Sequence, residues 1–536
     1  MSKNAVIYDT TLRDGTQAEN FNLSVDDKIR ITLKLDELGI DFVEGGWPGA
    51  SPGASEYFAE IRKYDLKHIV VTAFGSTRSF NNTIENDVNL QALVAAETEG
   101  ITIFGKTWHV HVEDALRIKL EDNLIIIDDS LRFLRQHVKY LFYDAEHFFD
   151  GFKGNSEYAL QTLETAARAG ADCLVLCDTN GGTLPTEIPE IIEQVRSYLD
   201  GKGLDIELGI HAHNDSETAV ANSLVAVDCG CHHVQGTING FGERCGNANI
   251  TSIIPALALK MDYDFTAREN LEKLRETSRF VTELANLTHN KYQPYVGLSA
   301  FAHKGGIHVS AVKRNPLTYE HIQPEKVGNI RRILISDQSG RSNVLHKAKK
   351  FGIDLESTDP IVSSILQELK NMEKQGFQFE GAEASFELLM RKALGSCRRY
   401  FELQGFRVIN QKNDIDTPPQ AEATIRIEVG GEMVHTAALG DGPVNALDNA
   451  LRKALRRFYP SLQDVQLEDY KVRVLGSDHG TGAQVRVLIE SSDSKNQWGT
   501  VGVSHDIIEA SWQALVDSIT YKLMKDEQNS KQQKGN

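Results

Sequence analysis

Short apolar runs ending in polar residues recur through the first half of the chain, and stretches of helical periodicity separate them. The runs are AVIYD, IDFVEGG, HIVVTAF, ITIFGKTW, VKYLFYDAE, DCLVLCDTN, IELGIHAH and HVQGTING. Their β-branched and aromatic content at this length predicts strands. Between the first two, SVDDKIRITLKLDELG reads as an amphipathic helix, because Ser24 and Asp27 have capping-box spacing and Ile29, Leu33 and Leu38 can share a face. Eight strand-like runs alternating with helices predict a (β/α)8 TIM barrel over residues 1–265. A doubly wound open sheet is the alternative, since strand number alone does not require closure.

The pattern changes twice further on. Residues 266–392 read as helical linker subdomains, interrupted at 298–322 by the polar, Gly-containing LSAFAHKGGIHVSAVKRNPLTYEHI. Over 393–525, two stretches beginning AEATIRIEVGGEMVHTAALG and GAQVRVLIESSDSKNQWGTV each read strand, turn, strand, Gly-containing loop and helix. This internal repeat predicts a C-terminal α+β domain of two similar halves. The polar tail at 526–536 is predicted to be disordered.

Composition narrows the class. A chain of 536 residues exceeds what one core supports, and 41% hydrophobic with 25% charged residues is ordinary globular usage. A formal net charge of −18 with no basic stripe argues against a nucleic-acid partner. The sequence offers neither signal-peptide pattern nor a membrane-spanning run, so no membrane partner and a cytoplasmic location are expected. Six irregularly spaced cysteines do not form a disulfide framework, and Cys173, Cys177, Cys229 and Cys231 are expected to be buried fillers.

In a barrel of this kind the chemistry collects at the C-terminal strand ends, and seven of the eight runs end there in polar or Gly-bearing residues. His211-Ala-His213 closes the seventh run. Residues i and i+2 of a strand face one side, so both imidazoles can meet one ion. The chain carries a second such pair, His109-Val-His111, so the motif alone is weak; Asp14 at the end of the first run supplies a carboxylate for the first pair. Two imidazoles and a carboxylate leave positions open for substrate on a divalent cation. Arg13 is either paired with Glu44 or Glu146 at the barrel mouth or placed to stabilise charge on a carbonyl oxygen. Glu146, at the end of the fifth run, is a solvated charge or a proton acceptor. GTINGFGERCGNANI lacks the dinucleotide-binding spacing, and no Walker A sequence occurs.

DTTLRDGTQ, HAHND and GFGERCGNANI together resemble the signatures of the metal-dependent barrels that include 2-isopropylmalate, homocitrate and citramalate synthases and 3-hydroxy-3-methylglutaryl-CoA lyase. The resemblance continues through AFAHKGGIHVSAV and the C-terminal repeat, which is similar to the synthases' regulatory domain and absent from lyases. EGGWPGASP and QGFQFEGAEASFELL resemble the citramalate-forming branch. The resemblance implies an acyltransferase acting on acetyl-CoA and pyruvate in isoleucine biosynthesis. It implies Asp14, His211, His213 and Asn247 at a divalent cation (Mn2+, Mg2+ or Zn2+) and Arg13 with Glu146 as a pair at the reacting carbonyl. It places Thr179 on the keto-acid carboxylate, His111 and Asp144 in the pocket, and His308 and Tyr319 near the thioester. At Asp144 this chain departs from the Ser or Tyr often found in the family, which leaves the keto-acid contacts at that position, and any part for His109, open. A homodimer and isoleucine as feedback effector are also implied. The rival readings are an isopropylmalate or homocitrate synthase and, in another class, a non-catalytic amino-acid sensor.

Overall fold

Every one of the eight apolar runs holds a strand: β1 (Val6–Asp9), β2 (Phe42–Gly46), β3 (Val70–Ser76), β4 (Gly100–Lys106), β5 (Tyr140–Glu146), β6 (Cys173–Asp178), β7 (Glu207–Ala212) and β8 (His233–Gly236). The computed structural model describes residues 3–50, 52–336, 339–475 and 482–534. The strands form a closed barrel in sequential order with parallel neighbours, and β8 pairs back onto β1 from Val6↔His233 to Asp9↔Gly236. Closure excludes the open sheet. The first barrel helix, Val25–Leu38, has both capping-box bonds between Ser24 and Asp27; it buries Ile29, Ile31, Leu35 and Leu38, while Leu33 is only half-buried.

The barrel interior changes character two residues at a time. Tyr8, Phe42, Phe142, Cys173, Val175 and Cys177 pack together as one apolar cluster, with the Tyr8 and Phe142 rings edge to face at 5.7 Å. Two positions further along, on the same faces, stand Glu44 after Phe42, Asp144 after Phe142 and Gln235 after His233. The apolar cluster thus plugs the barrel, and the polar layer lies toward the C-terminal strand ends. The Tyr8 hydroxyl joins the two, donating to Glu44 at 3.1 Å and lying 2.7 Å from Thr72 Oγ1 and 2.6 Å from Thr102 Oγ1.

The chain divides into two compact units, Met1–Phe301 with His321–Arg331, and Ala302–Glu320 with Arg332–Asn536. The first extends beyond residue 265 because the amphipathic helix Leu274–Leu284 buries Leu274 and Val281 in the barrel's own core. In the second, short parallel strands β9 (Ala302–His303) and β10 (Arg332–Ile333) accompany the helices Gly306–Arg314, Arg341–Lys350, Pro360–Lys374 and Glu383–Ala393.

The C-terminal repeat is strand-strand-strand-helix in each half. β11 (Glu402–Gln411), β12 (Gln420–Val429) and β13 (Glu432–Gly440) precede the helix Pro443–Leu455; β14 (Gln466–Leu475), β15 (Gln484–Ser492) and β16 (Gln497–Ser504) precede the helix Ile507–Lys534. Strands β11 and β14 add one member per half to the sequence-based repeat. Both are edge strands whose residues are mostly exposed, which deprived them of an apolar pattern. The last helix also runs through most of the segment expected to be disordered, carried by strong helix formers and by Lys522–Asp526 and Glu527–Lys531 pairs at i, i+4 spacing. No helix among the described residues is long and apolar enough to cross a membrane. All six cysteines are free; Cys173, Cys177 and Cys231 are buried as expected, and Cys229 is half-buried.

Candidate metal and active site

The turn after β1 aims its charges inward. The Asp9 carboxylate accepts from the Thr11 amide at 2.9 Å and the Thr11 hydroxyl at 2.8 Å, and Thr11 Oγ1 accepts from the Ile238 amide at 2.8 Å. These bonds tie the β1 loop to the loop after β8. Burial pushes the Asp9 carboxyl up to about 7, so it is a structural anchor. Amides of Arg13 and Asp14 close back on the Thr10 carbonyl at 3.2 and 2.8 Å, which turns the Asp14 side chain into the barrel mouth.

There Asp14, His211 and His213 each present one ligand atom within 4.8 Å of the others, and all three are buried. His211 Nε2 is 3.1 Å from Asp14 Oδ2. Asn247 joins them, its amide donating to Asp14 at 2.8 Å and lying 3.2 Å from His211 Nε2. The glycines of GFGERCGNANI make this possible. A Cβ on Gly242 would fall 1.9 Å from Asn247 Oδ1, and one on Gly246, whose φ is +87°, would fall 2.0 Å from the Gly240 carbonyl. The motif folds a tight loop that delivers Asn247 to Asp14 and His211.

Electrostatics fit a cation. Burial opposes ionisation of Asp14, but the Arg13 guanidinium beside it holds its carboxyl well below the usual carboxylate range. Burial, then the neighbouring His211, lowers His213 to about 3, so its imidazole is neutral with lone pairs to give. His213 Nδ1 and Asn247 Oδ1 are buried and make no hydrogen bond, an arrangement that costs free energy unless another partner takes them up. His211 Nδ1 sits 2.7 Å from Gln235 Oε1, which fixes that nitrogen as the donor and leaves Nε2 to ligate; Gln235 Nε2 in turn donates to Asp144 at 3.0 Å. We expect Gln235→Leu to weaken Mn2+ affinity about 10–100-fold in a calorimetric titration; unchanged affinity would deny Gln235 this orienting part.

One cavity of about 250 Å3 collects Arg13, Asp14, Asp144, Glu146, Thr179, His211 and His213. Arg13 does not pair with Glu146. Its Nε donates to the fully buried Glu44 at 2.5 Å, its Nη1 lies 3.3 Å from Asp14, and its guanidinium covers the Phe74 ring at 3.8 Å. Glu146 is ion-paired with Lys106, its register partner on β4. Burial pushes the Asp144 carboxyl up to about 7, the charge of His211 working against this. Thr179 Oγ1 accepts the His147 amide at 2.9 Å, so its hydroxyl hydrogen remains available. His111 stands one layer out, stacked on Trp108 at 5.2 Å and edge-on to His147 at 4.3 Å, and is not among the residues lining this cavity. His308 and Tyr319 belong to the second unit, where their rings stack at 4.1 Å.

Glu44 was read only as a possible partner of Arg13, and Lys106 and Gln235 were missed as site residues from sequence. So was Arg244, which bridges loops by donating to Asp215 at 2.8 and 2.9 Å and to the Thr179 carbonyl at 2.7 Å. Of these, Glu44 carried a signal, since it stands just before Gly45 at the end of an apolar run.

Three family models match the chain in succession. Residues 4–281 match the family model described as HMGL-like, 295–376 the homocitrate synthase post-HMGL domain-like model, and 380–523 the LeuA allosteric (dimerisation) domain. The chain belongs to the HMGL-like family. An (R)-citramalate synthase of Geobacter sulfurreducens is 59% identical over 97% of this chain and 98% of its own. One from Aquifex aeolicus is 54% identical over 98% and 99%. A 2-isopropylmalate synthase of Clostridium kluyveri is 31% identical over 97% and 96%. Within the family, the chain falls with the (R)-citramalate synthases.

Proposed function

We propose that this chain condenses acetyl-CoA with pyruvate and water to give (R)-citramalate and CoA. The observation that carries the reading is identity of 44–59% with five (R)-citramalate synthases along at least 96% of the chain, against 31% with 2-isopropylmalate synthases. The site's contents are those the reaction needs.

A divalent cation held by Asp14, His211, His213 and Asn247 would polarise the keto group of pyruvate. Thr179 donates its free hydroxyl hydrogen to the substrate carboxylate. A proton leaves the acetyl methyl group for an acceptor, for which the barrel cavity offers Glu146 and the family resemblance suggests His308. The methyl carbon then forms a bond to the keto carbon, and the keto oxygen gains a negative charge that the Arg13 guanidinium meets with its remaining N–H groups. That oxygen takes the proton held by the acceptor and becomes the hydroxyl, and water cleaves the thioester, releasing CoA thiol and leaving the second carboxylate of citramalate. Asp144, with its raised pKa, gives the pocket a carboxyl that carries less charge than a solvated one beside the substrate anion. Measuring CoA thiol release with pyruvate, 2-oxoisovalerate and 2-oxoglutarate tests the reading; turnover only with one of the larger acids would reject it.

The remainder of the proposal concerns the second unit. The paired strand-strand-strand-helix halves are read as a homodimerisation element that also takes isoleucine, through a coupling free energy of about 1–3 kcal/mol. Calorimetric titration of the full-length protein with isoleucine, leucine and valine should give heat with isoleucine and inhibition in parallel. No heat and no inhibition with any of them would leave the domain as a dimer clamp. A cytoplasmic location belongs to the same reading and agrees with six free thiols.

A further inference from the structure

Trp47 lies one residue past β2, in the stretch EGGWPGASP, and the condensation chemistry leaves it without a task. Its indole lines the cavity of about 250 Å3 that holds Arg13, Asp14 and Thr179. It also lines a larger hollow of about 730 Å3, together with Phe104 and Arg78. The ring is therefore part of the partition between the two spaces.

That partition is aromatic and continuous with the reacting centre. Trp47 meets Phe74 edge to face at 6.1 Å and Phe104 at 5.8 Å, while Phe74 and Phe104 stack at 5.5 Å. Phe74 is also the ring under the Arg13 guanidinium. The wall that Trp47, Phe74 and Phe104 give the cavity is thus apolar, as a keto acid's alkyl group requires.

The indole is also pinned. Its Nε1–H donates to Asn89 Oδ1 at 2.7 Å, and Asn89 Nδ2 donates to the Ser76 carbonyl at 2.6 Å. Gly75 makes the space for this bridge, since a Cβ there would come within 2.8 Å of Asn89 Oδ1. To swing aside, Trp47 would have to give up a partly buried hydrogen bond and two ring contacts together.

We propose that Trp47 is a specificity-determining residue for the 2-oxo acid: pinned by Asn89, it ends the apolar side of the pocket so that a methyl group fits and an isopropyl group does not. This rests on the pyruvate reading above. One further carbon in an apolar pocket commonly changes kcat/KM by about 10–200-fold, so a wall at this place can separate pyruvate from branched 2-oxo acids.

The test uses full-length protein and CoA thiol release with pyruvate, 2-oxobutanoate and 2-oxoisovalerate, comparing wild type, Trp47→Phe, Trp47→Ala and Asn89→Leu. Trp47→Ala should raise the ratio of kcat/KM for 2-oxoisovalerate to that for pyruvate at least about 10-fold, with the KM for acetyl-CoA little changed. Trp47→Phe should favour 2-oxobutanoate first, and Asn89→Leu, which frees the ring without removing it, should shift the ratio in the same direction by less. Should Trp47→Ala not fold, as judged by circular dichroism, the other two variants decide. A ratio within about twofold of wild type in every folded variant overturns the proposal, as does a rise in the acetyl-CoA KM alone. Absence of thiol release from wild type with pyruvate overturns both this proposal and the reading on which it rests.

Discussion

Substitution of His211 by alanine is expected to lower kcat by about three orders of magnitude or more and to remove high-affinity binding of a divalent cation. Both effects have one cause. His211 stands between Asp14 at 3.1 Å and Gln235 at 2.7 Å, so it is the member through which the candidate ligand set would be oriented. Without it, Asp14 and His213 keep only two of the inward ligand atoms and Asn247 loses a neighbour. Dialysis of wild type against a chelator should reproduce the loss, and Mn2+, Mg2+ or Zn2+ should restore turnover. His109→Ala serves as the control, because the second H-x-H pair is not part of the cluster; its cation binding should equal that of wild type. Stoichiometric cation binding by His211→Ala would remove the site from the barrel mouth.

What could be read from the sequence divides along the range of the interactions involved. The eight strands were legible because each buries a contiguous apolar run, and His211 and His213 were legible because the two-residue period of a strand places both on one face. The partner of Arg13 was not, since Glu44 and Glu146 are chemically equivalent as sequence. Barrel order separates them: β2 is the direct neighbour of β1, while Glu146 lies on β5 opposite Lys106 in the β4–β5 register. Gln235 was equally hidden. Its part depends on β8 lying beside β7 with His211 opposite Gln235, a pairing that only closure reveals. The edge strands β11 and β14 escaped for the reverse reason, having too few buried side chains to mark a period.

Arg13→Lys is expected to lower kcat about 100- to 1,000-fold while leaving the pyruvate KM within a few-fold of wild type. Two roles have to be separated here, since the guanidinium both lines the substrate cavity and closes an ion pair with the fully buried Glu44. Lysine retains the positive charge, so Glu44 keeps a counter-ion and Asp14 a cationic neighbour. It lacks the planar fork that lets one side chain hold Glu44 through Nε, approach Asp14 through Nη1 and still direct N–H groups at substrate. Losing one donor to an oxyanion typically costs a factor of this size in kcat, because the interaction forms as charge develops and contributes little to ground-state binding. Arg13→Ala should behave differently. Leaving the Glu44 carboxylate buried and unpaired should destabilise the barrel by about 3–5 kcal/mol, visible as an earlier denaturation midpoint. The two variants together decide the matter. A lysine variant with wild-type kcat and a lowered melting temperature would make Arg13 a structural partner of Glu44 only, and the charge on the new alkoxide would need another donor.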